Sequence, residues 1–76
     1  MKYLIVIEET NTGFSSYTPD FEGCVAPGST IEEVEEKMKE AIEFHLEGLA
    51  LEKLAKPTPH TYSRYVEVSE TVTNYV

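Results

Sequence analysis

The chain has 76 residues, 41% of them apolar, with fourteen acids against six bases and a formal net charge of −8. A domain of this size buries only about 60% of the surface its unfolded form exposes, so a deep site built from several buried catalytic groups is excluded. The charge disfavours direct nucleic-acid binding and favours a basic protein as partner. One cysteine excludes an internal disulfide, and with two separated histidines it makes no zinc pattern. No basic leader with an apolar run is present, and no stretch reaches membrane-spanning length, so a cytoplasmic protein is expected.

In chain order, residues 2–8 (KYLIVIE) are rich in β-branched and aromatic side chains and predict a central strand. ETNTG predicts a hairpin loop, with Asn11 and Gly13 suited to positive φ. Residues 14–20 (FSSYTPD) predict a second strand, stopped by Pro19, which has no amide hydrogen to give a ladder. Residues 23–28 (GCVAPG) predict a third, short strand, at a sheet edge because of Pro27. The helix is expected over residues 31–54. Thr30 and Glu33 have capping-box spacing, and the early glutamates suit the positive end of the helix dipole. Ile31, Val34, Met38, Ala41, Ile42 and Leu49 form its apolar stripe, and Pro57 and Pro59 bar its continuation. Residues 62–69 (YSRYVEVS) predict a fourth strand, and 70–76 a short tail.

Strand, strand, strand, helix, strand is an α+β order. A right-handed crossover would lay the last strand parallel to the first, giving a mixed four-stranded sheet of order 3-2-1-4 with the helix on one face. The whole chain, 1–76, is expected to be one domain. The other face then needs water or a second chain against it; Tyr3 and Tyr17, with Tyr62 or Tyr65, suit a half-buried contact there. A homodimer or higher homo-oligomer is expected, because edge strands invite pairing.

The candidate chemistry is sparse. A nucleophilic Cys24 would need a base and electropositive surroundings, whereas His45 and His60 are the only bases on offer and the setting is acidic. A packed cysteine is the stronger reading. His45, between Ile42 and Leu49 on the stripe, is read as a structural histidine with one ring nitrogen bonded beneath the sheet, and His60 as a solvated loop residue. Asp20 is the sole aspartate and the other acids mostly follow the helix, so no converging metal site is expected. Exposed amides at the Gly28-Ser29-Thr30 turn are assigned to capping and not to an anion, because four glutamates follow. No enzyme and no cofactor is expected.

PDFEGC, then GST opening a helix that carries EFHLEGL, then KPTP before a last strand, resembles the HicB-like antitoxin family from Tyr3 to about Val68. The matching positions are Pro19, Asp20, Phe21, Gly23, Cys24, Gly28 and Thr30; Glu22, Ser29 and Val34 depart from the usual proline, aspartate and alanine. The chain is similar to a short form of the family, without the C-terminal segment by which many members bind operator DNA. The resemblance implies a partly degraded ribonuclease-H-like fold without catalytic residues. It also implies a partner, HicA: a small basic toxin that resembles a double-stranded-RNA-binding domain and cleaves RNA through a histidine. The expected function is neutralisation of such a toxin; the alternative is a stand-alone homo-oligomeric interaction domain. Pro19, Gly23, Cys24, Gly28, Thr30, Glu33 and His45 are read as structural. Asp20, Phe21 and Glu22 are candidate partner contacts, with Phe21 expected to be exposed; a turn-forming role for Asp20 is the equal alternative.

Overall fold

A computed structural model describes residues 1–70. Strand β1 (Val6–Glu9), β2 (Phe14–Tyr17) and β3 (Val25–Gly28) form an antiparallel sheet of order β1-β2-β3, followed by helix α1 (Ile31–Leu51). The pairing is in close register, Val6 opposite Tyr17 and Ile7 opposite Ser16, then Ser16 opposite Ala26 and Tyr17 opposite Val25. Pro27 lies in β3 at the sheet edge, where its missing amide hydrogen costs no ladder bond.

The expected fourth strand is not formed, so the sheet has three antiparallel strands and not a mixed four in the order 3-2-1-4. Residues 62–69 carry no regular secondary structure and are exposed, with no backbone hydrogen bond to the sheet among the described residues. Their composition favours a strand, yet a strand exists only where a neighbouring edge accepts its ladder, and this stretch meets none. The short tail expected at 70–76 lies outside the described residues except for Glu70.

Helix α1 packs across one face through Val34, Met38 and Ile42. These meet Phe21, Cys24 and Ala26, with Tyr3, Ile5, Ile7, Phe14, Ala41, Leu46 and Leu49 half-buried around them. Ile31, expected on the stripe, is the first helical residue and is exposed, outside the buried cluster. The N-terminus is closed by Thr30, whose Oγ1 accepts from the Glu33 amide at 3.0 Å. The Glu33 carboxylate accepts from the Ser29 amide at 2.8 Å, one residue short of the usual capping-box position. Helix and strand meet closely at Gly28, where a Cβ would stand 2.7 Å from Val34 Cγ2.

The helix ends three residues earlier than expected, and a local motif ends it before the prolines are reached. Lys53 adopts φ 57°, its amide donates to the Ala50 carbonyl, and the Leu54 amide donates to the Leu49 carbonyl. That is a Schellman cap with lysine where glycine is usual.

Strand β2 is unusual in burying hydroxyls. Ser16 Oγ donates to the Ala26 carbonyl at 3.0 Å, and Thr18 Oγ1 donates to the Leu4 carbonyl at 2.7 Å. Both side chains are almost wholly buried and both are satisfied.

Candidate protein interface

The turn after β2 is built inward. Gly23 supplies a left-handed corner at φ 70°, and Phe21, a candidate surface contact by sequence, is 7% exposed. Its ring stands edge-on to Tyr3, centroids 4.7 Å apart, and to His45 at 5.4 Å. An aromatic in a loop finds cover here because two rings distant in sequence converge on it. His45 itself is exposed, in a T-shaped contact with Phe21 instead of lying bonded beneath the sheet. Cys24 is buried, and desolvation pushes its thiol up from the ordinary 9.0. That is the opposite of what a nucleophile needs.

Asp20 gathers the chain after the helix. Its side chain is fully buried; Oδ1 accepts from the Thr61 hydroxyl at 2.6 Å and lies 3.2 Å from His60 Nδ1. Its Oδ2 accepts from the His60 amide at 3.3 Å. His60 Nδ1 also lies 2.8 Å from the Thr58 carbonyl, so both neighbours of this nitrogen are acceptors. Nearby, the Tyr3 hydroxyl donates to the Pro57 carbonyl at 2.6 Å. Asp20 and Tyr3 thus fasten residues 57–61 to the body. Glu22 remains exposed. His60, read as a solvated loop residue, is exposed at its ring but tied at its amide.

Two of the apolar surfaces left open among the described residues belong to the sheet. On the face away from the helix the register places Val6, Tyr17 and Val25 in a row across all three strands. Tyr17 is 43% and Val25 63% exposed, with Glu8 exposed on the same face of β1. Tyr3, expected on this face, turns to the helix side instead, as its odd-numbered alternation with Ile5 and Ile7 requires. The second surface is a groove of about 460 Å³ beside β1, whose outer edge is unpaired among the described residues; it is lined by Tyr3, Ile5, Met38, Ile42 and Leu46 and rimmed by Glu35, Lys39 and Glu43. Sequence periodicity could point to either face, but only the pairing register shows that the three apolar residues align.

Among the described residues no group of three or more His, Cys, Asp or Glu is placed to hold a metal, and no helix is long and apolar enough to cross a membrane. The arrangement offers surfaces for protein contact.

Comparison with known proteins agrees with that reading. The chain is 36% identical over 70 residues, 92% of its length, to an uncharacterized 14.9 kDa protein of Haemophilus phage HP1. It covers only 53% of that relative, about half its length. It is 40% identical over 50 residues, 66% of this chain and 69% of the relative, to a UPF0150 protein of Helicobacter pylori. Among solved structures it resembles a chain of a HicA3 and HicB3 toxin-antitoxin complex, with TM-score 0.65 and 35% identity over 79% of this chain and 70% of that one. A family model described as the HicB-like antitoxin of bacterial toxin-antitoxin systems matches residues 3–74. The chain therefore belongs to the HicB-like antitoxin family.

Proposed function

We propose that this protein is a non-enzymatic antitoxin that binds and neutralises a small, basic, HicA-like RNA-cleaving toxin in the cytoplasm. The observation that carries the reading is the likeness, at 35% identity, to a chain from a HicA3 and HicB3 complex. Charge supports it: −8 on 76 residues suits a basic partner. The contact surface proposed is the open row Val6, Tyr17 and Val25, with Glu8 and Glu22 as acidic contacts. Asp20, occupied in holding residues 60 and 61, supports the Glu22 turn from within. The chain acts as one domain and recruits no cofactor and no nucleic acid of its own. A partly degraded ribonuclease-H-like ancestry goes with this reading.

The test is growth rescue by co-expression with a HicA-like toxin, together with calorimetric titration of the purified pair. Binding near one-to-one with rescue is expected. Tyr17→Ala is expected to weaken binding by about 1–2 kcal/mol, as loss of a central interface aromatic does. Failure of the wild-type chain to bind any small basic toxin encoded beside it would overturn the proposal. The edge of β1, unpaired among the described residues, favours one addition, self-association into a homodimer.

A further inference from the structure

Among the described residues, the stretch after the Asp20 and Tyr3 contacts has strand composition without a sheet, and the sheet has an edge without a strand. Residues 62–69 leave the body so far that the molecule measures 55 × 28 × 18 Å, with a radius of gyration of 16.3 Å. A compact domain of this length would have about 11 Å. Tyr62, Tyr65, Val66 and Val68 stand exposed along this arm. In strand geometry Tyr62, Arg64, Val66 and Val68 share one side, which is mostly apolar. We infer that the arm of each chain adds as a strand to the free edge of β1 in a second copy, covering the groove formed by Tyr3, Ile5, Met38, Ile42 and Leu46.

Three features assign the groove to another copy's arm. First, the hinge is straight. Pro57 and Pro59 favour extended backbone, the Tyr3 and Asp20 contacts hold residues 57, 60 and 61, and no glycine follows Gly48 to help a reversal onto the chain's own β1. Second, the charges complement. Residues 1–52 carry twelve acids and three bases, whereas 53–69 carry Lys53, Lys56 and Arg64 against one acid, Glu67. Arg64 lies on the arm's apolar side, and the groove's rim is net acidic, Glu35 and Glu43 against Lys39, which pairs with Glu43 at 3.9 Å. Third, the exchange closes. Each copy offers one arm and one edge, so two copies satisfy both about a two-fold axis and leave neither over. The eight residues span about 26 Å when extended, enough to run along β1 and the residues preceding it.

This inference rests on the self-association proposed above, and the experiment separates the two. One chain is labelled with nitrogen-15. The other, unlabelled, carries a nitroxide through Glu67→Cys in a Cys24→Ala background. The two are mixed, dissociated, reassociated, and observed by NMR and light scattering. The expected result is twice the 8.6 kDa chain mass, with broadened Ile5 and Ile7 amides in the labelled chain. The double variant Val66→Asp, Val68→Asp is expected to run at single mass with unchanged helical ellipticity, since neither residue belongs to the core. A double mass without cross-chain broadening at β1 would overturn arm exchange and leave self-association standing. A single mass for the unmodified chain at micromolar concentration would overturn both. Toxin binding is measured separately and depends on neither outcome.

Discussion

Asp20 joins residues 40 and 41 positions away in sequence through a side chain that water does not reach. Asp20→Ala removes every one of those acceptors and is expected to cost about 1–3 kcal/mol, the range for a lost buried hydrogen-bonding group. A urea melt measures the loss, and faster hydrogen exchange at the His60 amide locates it; an unchanged melt would mean that the 57–61 segment contributes nothing to stability. Asp20→Asn keeps one carbonyl acceptor and should fall between. Cys24 gives a second test. Its thiol is raised above 9.0 by burial, so the folded state holds this proton more firmly than the unfolded chain. The stabilisation is complete below pH 9.0 and is lost as pH rises through the folded value. Alkylation at neutral pH should accordingly be slow in the folded chain and become fast in denaturant, as followed by mass spectrometry. Local sequence said a turn would occur at Pro19–Gly23. It could not say that the turn points inward, because Tyr3, His45 and Thr61 arrive from three distant places to enclose it.

At the scale of the element, α1 shows where sequence speaks clearly. Thr30 and Glu33 lie within one turn, so the start was legible, and Thr30→Ala is expected to lower stability by about 1 kcal/mol in thermal unfolding. The end was not legible, because the motif there contains no glycine. Lys53 holds a left-handed conformation that a side chain disfavours. Lys53→Gly should therefore stabilise the protein by about 0.5–1 kcal/mol, readable as a higher melting temperature. A lower melting temperature would show that the lysine side chain contributes more than its backbone strain costs. The fourth strand marks the opposite limit. Tyr-Ser-Arg-Tyr-Val-Glu-Val-Ser announces a strand by composition, but pairing is a non-local property and its edge is not named in the local sequence.

For the whole molecule, acidity is spread over the helix, β1 and the Asp20–Glu22 turn, while residues 53–69 carry half the bases. An acidic body meeting a basic partner associates by electrostatic steering, so the association rate should fall by roughly an order of magnitude between low and physiological salt, with a smaller change in dissociation. Stopped-flow mixing across a salt series measures this; a flat rate would remove charge as the guide. The acidic balance was evident from composition alone. The division between body and arm was visible only once the structure separated them.

The buried hydroxyls of β2 carry a consequence for how the sheet is specified. Ser16 reaches the strand on one side and Thr18 the chain on the other, so β2 checks both neighbours at once. A slip of one residue would turn Ser15 and Tyr17 inward, crowd a phenol against Met38 and Val34, and separate both hydroxyls from their carbonyls. Ordinary hydrocarbons at these two positions would tolerate sliding better than hydroxyls do. The smallest polar groups in the core thus serve as the key that admits one alignment of the sheet and refuses its near neighbours.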